Sequence, residues 1–370
     1  MLRRTVAIVV LTLWLAAGGA LAADEQTSQA GTFGPAGSLA AARGGHTATL
    51  VPDGRVLIVG GEGQWEHPML AESWDPVTET FAPSGALAEA RSRHTATPLA
   101  DGRVLVIGGF TERGTQASAE LRDPATMTFS PGAALATSRA WHTATPLPDG
   151  RVLVVGGARD GDALSSAEVW DPATETFAPS GELRKARSEH TATLLADGRV
   201  LIVGGADRRE QPIALAEVWD PATETFRRAG LLAEARWVHT TTLLSDGRVL
   251  VVGGIGPGGR LASAESWDPA TMTFIPAGSL AKTRYNHDAA LLPDGRVLVV
   301  GGTGRRGTLA STEVWDPATA SFGPSGSLAE GRTGHTATPL PDGRVLVVGG
   351  GGESGHLAEA AVWEPAMGAP

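Results

Sequence analysis

A seven-bladed β-propeller, all-β and built of four-stranded antiparallel blades, is the fold this sequence predicts. Three observations predict it. A block of about 48 residues recurs seven times, and its histidines (His46, His94, His142, His190, His239, His287, His335) are spaced 48, 48, 48, 49, 48 and 48 apart. Within each block the apolar runs are too short for helices and are closed by Asp-Gly, Gly-Gly and Asp-Pro. A unit of this size cannot bury its apolar faces alone, so neighbouring copies must stack.

The third copy shows the elements in order. His142 to Leu147 is a first short run, bounded by Pro148-Asp149-Gly150. Arg151 to Val155 is a β-branched second run ending at Gly156-Gly157. Asp-Gly between two apolar runs is a strong hairpin signal, because the tight turn needs φ > 0. Ala167 to Trp170 is the third run, closed by Asp171-Pro172, and Thr176-Phe177 begins the fourth. Seven such sheets set radially make the propeller.

The two ends of the repeat array predict how the ring closes. Phe33 lies 13 residues before His46, as Phe322 lies 13 before His335. After Trp363 the matching phenylalanine would fall at position 370, which is Pro370. The seventh blade therefore lacks a fourth strand, and a spare strand near Thr32-Phe33-Gly34-Pro35 is expected to supply it. That pairing would cover an open sheet edge.

The repeated Gly60-Gly61, Gly108-Gly109, Gly156-Gly157, Gly204-Gly205, Gly253-Gly254, Gly301-Gly302 and Gly349-Gly350, with the apolar strand before each and an upstream Arg, resemble the kelch repeat. The resemblance covers about residues 31 to 370. It departs from the family in placing Trp on the third strand and Phe on the fourth. Kelch propellers serve as binding platforms, as parts of galactose oxidase-like enzymes and as sialic acid mutarotases, and the fold alone does not choose among them.

Residues 1–22 resemble a secretory signal peptide: Arg3-Arg4, an uncharged stretch from Thr5 to Ala23, and Ala20-Leu21-Ala22 as a cleavage pattern. Residues 23–30 are read as a linker and 31–370 as the propeller. An exported monomer, secreted, periplasmic or at the cell surface, is expected, without membrane insertion after cleavage. The chain has no cysteine, which a core of this size permits. A net charge of −10 argues against nucleic acid as the partner.

Residues present in every blade are expected to build blades. Each histidine is expected to hydrogen-bond a neighbouring blade rather than hold a metal, since tight metal sites use few ligands in close geometry. Arg43, Arg91, Arg139, Arg187, Arg236, Arg284 and Arg332 are expected to pair with Glu72, Glu120, Glu168, Glu217, Glu265 and Glu313. The seventh blade carries Ala361 at the glutamate position, with Glu359 two residues earlier, so its pairing must differ. Blade two has Arg122 where the others have Trp, expected as a packing defect or an exposed contact.

Variation gathers in the two residues before each histidine and in the loops after each double glycine, such as Phe110 to Gln116 and Ala206 to Pro212. In an up-and-down blade both emerge on one face, and loops on a rigid scaffold are where binding usually lives. That face would present Arg93, Trp141, Glu189, Trp237, Tyr285 and Asn286 around the channel mouth. Aromatics with a few directional polar groups suit a sugar or a peptide. Asp288 stands where the other blades have threonine and is a candidate ligand contact or general base. Asp160-Gly161-Asp162 lacks the further acids of a calcium loop and is read as a turn.

Copper chemistry of the galactose oxidase kind needs two tyrosines, one cross-linked to cysteine; this chain has Tyr285 alone and no cysteine. No cofactor motif and no nucleophile constellation is present. The favoured reading is an exported, non-catalytic platform that binds a glycan or an extracellular protein. The alternative is a sugar-modifying, mutarotase- or epimerase-like enzyme using a pocket at the same mouth.

Overall fold

The computed structural model describes residues 31–63 and 68–366. Seven four-stranded antiparallel sheets form a ring, and the first strands of neighbouring blades touch one another all the way round it. Blade one consists of Thr47–Leu50, Val56–Val59, Leu70–Asp75 and Thr80–Ala86. The later blades repeat these elements at the same spacing. The expected signal peptide and linker lie outside the described residues.

Closure occurs as the ends of the array predict. Thr32–Ser38 pairs with Glu359–Glu364 and completes blade seven. Phe33 sits opposite Trp363, the same register that Phe81 makes with Trp74 in blade one.

The core lies between blades. Second strands such as Val56–Val59 are wholly buried, because both faces of the strand are covered. Side chains alternate along a strand, so Val56 and Ile58 pack toward blade seven while Leu57 and Val59 pack toward blade two. Seven such clusters fill the seven interfaces, six of them around a buried tryptophan.

The double glycine has a steric cause. Gly60 has φ +59°, and a Cβ there would lie 2.3 Å from the Arg91 carbonyl oxygen of the next blade. Its neighbour Gly61 donates its N–H to that same oxygen at 2.9 Å. The contact recurs at every interface, ending with Gly350 N–H on Arg43 O at 2.8 Å.

The arginines and glutamates pair within blades, in six blades of seven, at 2.6–2.8 Å. Arg122 is not an exposed contact: it is buried. Its Nη2 donates to Ser84 Oγ at 2.7 Å, and its Nε reaches the Ser84 carbonyl at 3.4 Å. It thus copies the role of Trp74 Nε1, which donates to Ala36 O of the preceding blade. Beside it lies a cleft of about 300 Å³ between blades one and two, walled in part by Val51, Pro52 and Pro124.

Candidate functional site

The residue before each histidine has a left-handed backbone in all seven blades. These residues are Gly45, Arg93, Trp141, Glu189, Val238, Asn286 and Gly334, with φ between +49° and +61°. Each donates its N–H to the carbonyl of its counterpart in the preceding blade, at 3.0–3.2 Å, and Gly45 donates to Gly334 to close the circle. The channel mouth is therefore a cyclic belt of seven backbone hydrogen bonds.

Only glycine adopts this conformation freely; other residues strain by roughly 1–2 kcal/mol. Blades one and seven use glycine. The other five place Arg93, Trp141, Glu189, Val238 and Asn286 there, and Val238 is β-branched, the least suited of all. The belt fixes where these side chains start and so offers a rigid, asymmetric rim.

The sequence-predicted residues divide between two tiers. Arg93, Trp141, Glu189 and Asn286 lie on the belt. Trp237 and Tyr285 sit one residue earlier, where the chain bridges to the loop after the double glycine, opposite Ile255 and Thr303. The three aromatics accordingly do not form one platform. Trp141 meets Phe110 edge-on, with ring centroids 4.6 Å apart, and the Arg260 guanidinium lies 5.3 Å from the Tyr285 ring centre.

The belt's charges differ in their freedom. Arg93 pairs with Glu62 at 2.9 Å and folds over Gly45. The Glu189 carboxylate makes no hydrogen bond to the described residues, although its main chain belongs to the belt. Burial pushes its carboxyl up to about 7, against the opposing pull of Arg93 and with a smaller push from Glu210. It therefore changes charge near neutral pH.

Beneath the belt, the histidine ring departs from sevenfold symmetry once. Six imidazoles hydrogen-bond through Nε2 to a threonine hydroxyl of the preceding blade, at 3.0–3.2 Å. At the blade six–seven interface Asp288 replaces that threonine. Its Oδ2 accepts from the Ala337 N–H at 2.7 Å and its Oδ1 from the Ala289 N–H at 2.8 Å. Both ring nitrogens of His335 are buried without a partner among the described residues. Desolvation raises the Asp288 carboxyl to about 6, against those two backbone hydrogen bonds.

Sequence reasoning missed the belt and the Glu62 partner of Arg93. The one signal for the belt was glycine at the pre-histidine position of blades one and seven. On the opposite face, a cleft of about 430 Å³ between blades six and seven is walled by turn residues such as Pro293, Gly295 and Arg344.

No family model and no curated protein matches this chain. Among solved structures it is similar to a fungal alcohol oxidase of the AA5 family, determined in complex with copper. The match has a TM-score of 0.74 at 19% identity and covers 91% of this chain and 76% of that one. The fold is a galactose oxidase-like propeller. The donor set here does not fit that metal. Tyr285 is the chain's one tyrosine, six histidines commit Nε2 to threonine, and the described residues hold no group of three ligating side chains.

Proposed function

We propose that this protein is an exported, non-catalytic binding platform that recognises a glycan or a protein through its variable face. The observation that carries the reading is the mouth belt. Five of seven left-handed positions hold side chains where glycine would be less strained, and those side chains differ from blade to blade. Left-handed residues also recur at the turns between third and fourth strands (Glu79, Met127, Glu175, Glu224, Met272 and Ala320), where they serve the same turn in six blades. At the mouth the side chains vary from blade to blade, and strain kept under varied side chains is a sign of use there. The tied Arg93 and the absence of an acid–base pair on the belt favour binding over turnover.

Binding of the mature chain to glycan and peptide arrays tests this, beside two variants. Trp141→Ala/Glu189→Gln/Asn286→Ala alters the belt, and Trp237→Ala/Tyr285→Ala alters the outer tier. A loss of at least about tenfold in the belt variant is expected, with a smaller loss in the outer one. Binding that survives the belt variant would move the site elsewhere. The mutarotase- or epimerase-like alternative rests on Glu189, whose carboxyl near 7 suits proton transfer; turnover abolished by Glu189→Gln alone would favour it.

A further inference from the structure

In six blades one glutamate carboxylate does two jobs. Its Oε1 accepts from the buried arginine's Nη2 at 2.6–2.8 Å. Its Oε2 accepts from the backbone N–H three residues before that arginine, at 2.7–2.9 Å. Blade seven keeps the arginine and the amide but not the acid. Arg332 is 4% exposed, Ala329 supplies the amide, and Ala361 stands at the glutamate position.

The two donors are left open. Arg332 directs Nη1 to the Gly349 and Glu359 carbonyls, as its counterparts do, but no carboxylate of the described residues comes within ion-pair distance of it. The Ala329 N–H donates to none of the described residues. Glu359 and Glu330 attract Arg332 only through space, beyond ion-pair distance, and the Glu359 carboxylate takes the Ala358 N–H at 3.2 Å. Ala361 is partly open to solvent, whereas the six glutamates are buried. A buried guanidinium without its anion is costly.

We propose that blade seven holds a receptor for a carboxylate ligand, bound by Arg332 Nη2 and the Ala329 N–H in the place of the missing glutamate side chain. What glutamate has beyond alanine is CH2–COO⁻, which is acetate in outline. The six intact blades therefore display the bound geometry: one oxygen on the guanidinium, the other on the amide, as charge-assisted hydrogen bonds. The site lies on the chain entering blade seven and does not use the belt side chains. It stands or falls independently of the function proposed above.

Thermal unfolding of the mature chain near neutral pH tests it, in sodium acetate against equal sodium chloride and against acetamide. At about 100 mM, acetate is expected to raise the melting temperature by about 2 °C over chloride, and acetamide not at all. Ala361→Glu should melt higher and lose the acetate response. Ala361→Val, which fills the space without an anion, should also lose it and serves if the glutamate variant does not fold. Glu359→Gln and the belt variant should both keep it. Acetate acting no differently from chloride on the parent chain, or acting equally on both Ala361 variants, would overturn the proposal. Glucuronate stabilising where glucose does not would extend the class to acidic sugars; a response to acetate alone would confine it to small acids.

Discussion

The interior of blades two to five and the interface of blades six and seven are built from one plan, yet they treat polar groups differently. In blades two to five every buried histidine meets a threonine and every repeated arginine a glutamate. At the six–seven interface threonine has become Asp288, and within blade seven glutamate has become Ala361. The first region shows what stability requires of the repeat. The second shows departures that leave His335 Nε2 and Arg332 Nη2 without a partner among the described residues. Repetition within the molecule thus supplies its own control for each exception.

The histidine ring should dominate the response to acid. Burial holds His46, His94, His190 and His335 down at about 3, and His142, His239 and His287 well below the ordinary value. A depressed base gives stability that is present above its unfolded value near 6.5 and lost as pH falls toward 3. Asp288 and Glu189 are raised acids with the opposite sign: they favour the fold at low pH and lose that contribution as pH rises through about 6 and 7. Near pH 5, unfolding should take up about five protons, roughly seven on histidines less about two released by these acids. Stability should then fall by about 7 kcal/mol per pH unit. Denaturant unfolding from pH 4.5 to 6 (about four steps) reads the slope; one near a single proton would mean the imidazoles are not held neutral.

Breaking one intact pair comes next. Arg187 and Glu217 are both fully buried, 2.6 Å apart, and desolvation lowers the arginine to about 10 despite its partner. Glu217→Ala recreates in blade four what blade seven carries naturally. It should cost about 3–5 kcal/mol, read from the shift in denaturant midpoint, because a lone buried guanidinium remains. Blade seven tolerates the same arrangement where Ala361 is partly open to solvent. A cost below about 1 kcal/mol in blade four would show that solvent reaches that pair as well.

What the sequence made legible follows from what repeats. The blade count, strand order, Phe33–Trp363 closure and Arg–Glu pairing all rest on patterns stated several times over. The grouping of site residues was less legible. Trp237 and Tyr285 stand next to belt residues in sequence, but successive residues point to different sides, so adjacency did not mean a shared surface. The left-handed belt was hidden because its positive φ is imposed by hydrogen bonds between blades, and local sequence marks it only through Gly45 and Gly334. Arg122 broke a pattern whose reason, a donor to the preceding blade's carbonyl, is tertiary.

Asp288→Thr would restore sevenfold order and should stabilise the protein by about 2 kcal/mol near neutral pH. The raised carboxyl weakens the fold above about pH 6, and a threonine hydroxyl would give His335 Nε2 the partner its six counterparts have. The sign has a signature: the gain should shrink as pH falls below 6, where Asp288 is protonated and no longer charged. Stability of both chains at about pH 7 and about pH 5 decides it. A gain independent of pH would trace the effect to packing instead.

The smallest expected effect tests the belt. Val238 holds a φ of +49° that its branched side chain resists, while Gly45 and Gly334 meet the same constraint without strain. Val238→Gly keeps the backbone hydrogen bonds to Glu189 and Asn286, since both use main-chain atoms. It should raise stability by about 1 kcal/mol, the relief of left-handed strain less the entropy that glycine adds to the unfolded chain. Gly334→Val is the reverse experiment and should cost a similar amount, because a Cβ there meets only the Asn286 side chain, at 3.5 Å. Equal and opposite midpoint shifts would mark the five belt side chains as held against the preference of the backbone. If Val238→Gly destabilises, the valine earns its place by packing, and strain at the mouth ceases to argue for a binding surface.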